Sequence, residues 1–183
     1  MLIRNRGFTL VELVIGMVVL AIAFTLINAL MANQMNRQGA MWHQMRATEL
    51  AQTLLSEIVS RSFDENSPTG NSLLRCDQVG AASCLSQLPA CPANGMSAAT
   101  EESLRQQYDD VDDYHCLVAV GSSIQSSAGA QLAALYEGYT VRVSVSYAGT
   151  ELGLSNRLAK RIDVTVDSVD GSSLILSAYR GNW

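Results

Sequence analysis

The chain has 183 residues, 48% of them apolar, and sets 12 basic side chains against 17 acidic ones for a formal charge of -5. That length leaves room for one globular domain of ordinary size, and an acidic balance argues against nucleic acid or anionic lipid as the main partner. The sequence contains no phosphate-binding loop, no zinc-finger spacing and no Gly-x-Ser-x-Gly elbow.

Arg4 and Arg6 precede the run Gly7-Phe8-Thr9-Leu10-Val11-Glu12-Leu13, and after Glu12 no charged side chain appears until Arg37. From Leu13 to Met31 only Gly16, Thr25 and Asn28 interrupt an apolar stretch, and about 20 such residues span the hydrocarbon core as a helix. The arginines before it mark the cytoplasmic side, so everything after the helix is expected outside the inner membrane. Two plainer readings compete: a secretory signal cut at Ala21-Ile22-Ala23, and a simple single-span anchor. Neither explains Glu12, and hydrophobicity runs on past Ala23. An isolated carboxylate in hydrocarbon needs a cation. A cut after Gly7 would supply one, because the new α-amino group of Phe8 would sit about one helical turn from Glu12. The two charges could pair within one chain or between helices stacked with an axial offset.

The run Gly7-Phe8-Thr9-Leu10-Val11-Glu12 resembles the processing site of type IV prepilins and pseudopilins. The resemblance implies that a membrane peptidase cuts between Gly7 and Phe8, that the Phe8 amine is then methylated, and that Glu12 docks the subunit into a growing filament. It divides the chain into a leader at 1–7, a membrane and filament-core helix at 8–36, and a head at 37–183. Loss of the leader removes Arg4 and Arg6, so the balance moves from -5 to -7. The implied partners are the prepilin peptidase, other pilin subunits and the inner membrane before assembly.

Beyond the membrane, residues 32–59 contain no proline and one glycine, Gly39, among good helix formers, so one helix is expected from Phe8 to about Arg61. Ala47, Leu50, Ala51, Leu54 and Ile58 fall at three- and four-residue spacing, which makes an apolar stripe in need of a sheet to cover it. Met41, Trp42 and Met45 are expected in core packing, with a neighbouring subunit as the other possible partner. His43 has no ligand set around it and is expected at the surface. The run Asp64-Glu65-Asn66-Ser67-Pro68-Thr69-Gly70-Asn71 then ends the helix.

An irregular region follows with Cys76, Cys84 and Cys91; Cys116 lies further on. Exported four-cysteine chains oxidise, and four cysteines allow three pairings. The favoured one joins Cys76 to Cys84 across a short loop and Cys91 to Cys116, tying that loop to the sheet. Zinc is disfavoured, because no Cys-x-x-Cys spacing occurs. Residues 98–108 read as a short helix with Thr100 as N-cap and Glu101 and Glu102 in its first turn. Next come Asp109, Asp110, Asp112 and Asp113. Some pseudopilins hold calcium in a loop of this kind, and hard cations take oxygen ligands, but no glycine turns this loop and a solvated acidic turn is the competing reading. His115 and Cys116 are adjacent, so on a strand they face opposite ways and form no Cys-His dyad. No catalytic residue or resident cofactor is expected, calcium aside.

Tyr139, Val141, Val143, Val145 and Tyr147 alternate with polar residues, as do Ile162, Val164 and Val166, and Asp170-Gly171 turns into a third strand at 173–179. Residues 114–120 are expected to add a fourth strand, while 125–135 remain ambiguous. The expected fold is α+β and pilin-like: a long N-terminal helix packed on an antiparallel sheet, with a disulfide-bearing loop region. Phe63-Asp64-Glu65, the cysteine loop and Asp110-Val111-Asp112-Asp113-Tyr114-His115 further resemble minor pilins of the mannose-sensitive haemagglutinin (MSHA) type. Many major pilins have a proline in the second half of the membrane helix, and here none occurs before Pro68. The implied role is a structural or priming subunit of a type IV pilus. A type II secretion pseudopilin and an adhesin whose cysteine region contacts a surface ligand are the alternatives.

Overall fold

A computed structural model describes residues 9–67, 74–92, 102, 104–125 and 134–183, with side chains throughout except at 32–38 and 40. Gly7 and Phe8 lie outside the described residues. The chain forms two compact units, Met1–Trp42 and His43–Trp183. One helix, α1 (Leu10–Val59), supplies residues to both.

In the first unit, Thr9 caps the helix: its Oγ1 accepts the N–H of Glu12 at 3.3 Å, satisfying a donor that the first turn leaves orphaned. Leu10–Met31 is long and apolar enough to cross a membrane, and none of it is buried within the protein. Its two uncharged polar side chains, Thr25 and Asn28, turn back on the helix. Thr25 Oγ1 donates to the Ile22 carbonyl at 2.7 Å, and Asn28 Nδ2 to the Phe24 carbonyl at 2.8 Å. Met41 and Trp42 are exposed here, as is Met45 in the second unit, which corrects the expectation of core packing for all three. Their helical positions fall off the stripe that meets the sheet.

In the second unit the stripe behaves as its spacing demands. Ala47, Leu50, Ala51, Leu54 and Ile58 are buried against Val141, Val143, Val145, Ile162, Val164 and Val166. These belong to a four-stranded antiparallel sheet in the order β1-β2-β3-β4, formed by β1 (Val118–Val120), β2 (Thr140–Tyr147), β3 (Ala159–Asp167) and β4 (Ser173–Gly181). Period-two alternation sends one face of each strand to α1 and the other to solvent. His43 is not a plain surface residue. It is half-buried, with Nδ1 2.8 Å from the Tyr139 hydroxyl.

The fourth strand is shorter than expected. Asp112–Tyr114 form a 3-10 turn and Cys116 takes a left-handed φ of 65°, so extended structure begins only at Val118. The helix expected at 98–108 appears as a single 3-10 turn, Arg105–Gln107, while 98–101 and 103 lie outside the described residues. So do 126–133 of the ambiguous segment. The β3–β4 hairpin closes at Gly171, whose φ of 81° suits glycine, and Asp170 Oδ1 accepts the N–H of Ser172 at 3.0 Å.

Candidate functional site

Glu12 is the one charged side chain between Arg6 and Arg37, in the first turn of α1, where a carboxylate complements the helix dipole. The Thr9 cap uses Glu12's backbone N–H, so the cap does not depend on the carboxylate. That side chain is exposed. A cut after Gly7 would leave Phe8 and Thr9 as the only residues ahead of α1.

The second cluster lies in the head and was only half legible. The segment after α1 meets the acidic run through Ser62, whose N–H donates to the Asp109 carbonyl and whose carbonyl accepts the N–H of Val111, both at 3.1 Å. Here the carboxylates are spent on the backbone. Asp110 Oδ1 accepts the N–H groups of Asp112 and Asp113 at 2.7 and 3.1 Å. Asp113 Oδ2 accepts those of Asp109 and Asp110 at 2.9 and 3.2 Å. The remaining charge is met by a residue that sequence reasoning missed, Lys160 on the inward face of β3. Its Nζ, fully buried, donates to the Phe63 carbonyl at 2.6 Å, to Asp112 Oδ2 at 2.7 Å and to Asp64 Oδ2 at 3.3 Å. It also lies 4.2 Å from the centre of the Phe63 ring, a cation–π distance.

Electrostatics follow from that burial. Asp110 is pushed up to about 7, first by desolvation and then by Asp112 and Asp113. Asp112 rises to about 6 by desolvation, opposed by Lys160. Glu102 rises to about 7, chiefly through its hydrogen bond with Asp113. The four predicted calcium ligands Asp109, Asp110, Asp112 and Asp113 do not share one centre. Among the described residues, the one group of three carboxylates whose oxygens all lie within 4.8 Å of one another is Glu65, Glu102 and Asp109. An open cavity of about 410 Å³ beside the cluster is lined by Asp64, Glu65, Asn66, Asp110, Asp112, Asp113 and residues 83–86. Its lining offers acceptors, hydroxyls and an amide but no imidazole and no thiol, since Cys84 is oxidised.

The disulfides join Cys76 to Cys84 and Cys91 to Cys116. Asn182 anchors the first, with Nδ2 donating to the Cys76 carbonyl at 3.0 Å and Oδ1 accepting the Ser67 hydroxyl at 2.8 Å. The second is braced by His115. Val145 N–H donates to its Nδ1 at 3.0 Å, so the proton sits on Nε2, which donates to the Pro89 carbonyl at 2.9 Å. Both ring nitrogens are thereby engaged. Although the Cys91, His115 and Cys116 ligand atoms lie within 4.8 Å of one another, the trio forms a strap between loop and sheet. Burial lowers the His115 pKa.

These shifts predict a pH dependence. Asp110 and Asp112 are raised in the folded state, so their stabilisation is full below the unfolded carboxylate range and is lost as pH rises through about 6 to 7. His115 is lowered, so its contribution is present above about 6.5 and is lost as pH falls. Three carboxyls, Asp110, Asp112 and Glu102, oppose one imidazole, and the head is expected to be more stable at pH 6 than at pH 8. Urea midpoints at the two values test this, and Asp110→Asn is expected to reduce the difference.

Residues 2–28 match the model of the prokaryotic N-terminal methylation motif. No curated protein and no solved structure matches the chain. The matched stretch contains Gly7, Phe8 and Glu12 and runs through most of the apolar part of α1, which indicates a substrate of prepilin processing. The chain therefore carries the N-terminal methylation signal of type IV pilin-like proteins, which supports the pilin and pseudopilin class.

Proposed function

We propose that this chain is a minor subunit of a type IV pilus of the MSHA type, with a structural or priming role in the filament. It is made as an inner-membrane precursor with its head in the periplasm, cut after Gly7, methylated on Phe8 and drawn into the filament through α1. The observation that carries this reading is the coincidence of the methylation motif at residues 2–28 with an apolar span, Leu10–Met31, whose one charge is Glu12. In hydrocarbon that carboxylate is stabilised by a cation, and the Phe8 amine of the same or a neighbouring chain provides it. The finer assignment rests on the likeness of Phe63-Asp64-Glu65, the cysteine loop and the segment 110–115 to minor pilin D of that pilus.

The N-terminal mass of protein recovered from sheared surface material and from membranes tests the proposal. A chain beginning at N-methylated Phe8 is expected in the sheared filaments. The same end confined to the envelope would assign the chain instead to a type II secretion pseudopilus, since the motif serves both systems. A start at Met1 or Phe24 would overturn both.

A further inference from the structure

The two edges of the sheet are built differently. At β4, Ser168 N–H donates to the Ser172 carbonyl at 2.8 Å before the strand, and Asn182 N–H donates to the Leu158 carbonyl at 3.0 Å after it. Antiparallel alternation between these bonds turns the N–H and C=O groups of Leu174, Leu176, Ala178 and Arg180 toward β3. It turns those of Ser173, Ile175, Ser177 and Tyr179 outward. Among the described residues no backbone group meets these outward donors and acceptors. Natural edges are guarded by lysine, proline, bulges or brevity. β4 has nine residues paired in unbroken register with β3, no lysine and no proline. Its one charge, Arg180, is occupied elsewhere, donating from Nε to the Arg61 carbonyl at 3.1 Å. Ile175 is 60% exposed beside this edge.

The opposite edge is short and half closed. β1 has three residues. The N–H of Val120 donates to Ser123 Oγ at 2.9 Å, and its carbonyl accepts the Ser123 hydroxyl at 2.8 Å. The bonds of Leu117 and Gly121 to β2 put Val118 and Val120 on the outer side of that ladder, so Ser123 closes half of the edge that β1 offers.

We infer that the outer edge of β4 is a docking edge for an extended strand of a second, non-identical subunit of the same filament, which joins the sheet through backbone hydrogen bonds; this rests on the filament-subunit reading above. A head-to-tail copy of this chain would bring a short, half-sealed β1 against a nine-residue strand whose outward groups come from Ser173, Ile175, Ser177 and Tyr179. Two β4 edges would pair about a two-fold axis and close on themselves, a contact that screw-related filament subunits do not repeat. A different subunit with its own open strand fits both constraints. Recognition is by backbone donors and acceptors, with apolar side chains opposite Ile175 and Tyr179. A head with one long open edge and one short, half-closed edge offers a single full-length site for a sheet neighbour, which suits a subunit present in few copies.

The test uses the full-length chain in cells that make the rest of its filament. A photo-crosslinking residue at Tyr179 is expected to give an adduct with a strand of a different pilin subunit, identified by mass spectrometry, whereas one at Ser144 on the outer face of β2 gives none. Ser177→Pro removes an outward N–H while leaving the β3 ladder intact. It is expected to cut the Tyr179 adduct by about fivefold or more, the worth of roughly one backbone hydrogen bond, while the head still melts cooperatively, with only the small loss set by the exposed Ser177 hydroxyl bond to Asp163. Ile175→Lys, which places a guard charge at the edge, is the second variant should the proline unfold the head. Adducts to a second copy only, no adduct, or an unchanged yield in a folded Ile175→Lys chain overturns the inference. If the N-terminus is not methylated Phe8, the filament reading itself has failed, and that is seen before any crosslink is scored.

Discussion

Lys160→Ala is expected to destabilise the head by about 3–5 kcal/mol, the range for breaking a buried ion pair by removing one partner. The side chain is fully buried between Asp64, 2% exposed, and Asp112, 12% exposed. Alanine would leave both carboxylates without their shared cation and would orphan the Phe63 carbonyl. Asp64 has other duties, accepting the N–H groups of Leu85 at 2.8 Å and Asn66 at 3.1 Å. The damage should therefore spread into the loop that holds Cys84. Urea denaturation of the full-length chain in detergent measures the loss. The deficit should shrink at pH 5, because Lys160 opposes the upward shift of Asp112 and without it the carboxyl protonates more readily. Replacing the whole network, Lys160→Met with Asp64→Asn and Asp112→Asn, is expected to recover part of the loss, since neutral groups escape the desolvation cost of buried ions, while an amide at position 64 keeps only one of the two acceptors that Leu85 and Asn66 use. A Lys160→Ala chain as stable as the parent would show that the network holds nothing together.

That network also marks the limit of what the sequence discloses. Alternation at 139–147 and 161–167 located β2 and β3, and the stripe from Ala47 to Ile58 located the face of α1 that covers them, because periodicity records which side of an element is dry. Carried two residues upstream of Ile162, the same alternation puts Lys160 inward, a signal that was there to read. Its partners were not, since Asp112 lies 48 residues away and Asp64 lies 96, and no local pattern encodes such a meeting. The acidic run posed a repulsion in one dimension that the fold resolves in three, by aiming oxygens at backbone N–H groups. Cys116 cuts the expected fourth strand short through a left-handed φ that a cysteine does not advertise. Nor does a run of strand-like residues say whether it will lie in the middle of a sheet or at its edge, so neither the open side of β4 nor the Ser123 seal on β1 was visible before the strands were ordered.

Glu12→Gln is expected to leave processing intact while lowering incorporation into filaments by about tenfold or more. The two effects separate because the residue has two distinct physical relations. Toward the bilayer, an ionised carboxylate is a burden of about 3 kcal/mol at the centre of a membrane helix, so a neutral amide of the same size inserts at least as well. Toward the helix, the cap from Thr9 engages the backbone N–H of residue 12, and glutamine preserves it. Neither membrane insertion nor the start of α1 should suffer, and the peptide bond after Gly7 stays available to its peptidase. What disappears is the charge that a methylated Phe8 amine seeks in a low-dielectric surrounding, where a coupling of about 1.4 kcal/mol already corresponds to a factor of ten in an equilibrium. The measurement is the ratio of chain in sheared filaments to processed chain in the membrane, parent against variant. An unchanged ratio would remove Glu12 from the assembly step and leave its place in an apolar helix without a cause. A fall in processing instead would place the carboxylate in recognition by the peptidase.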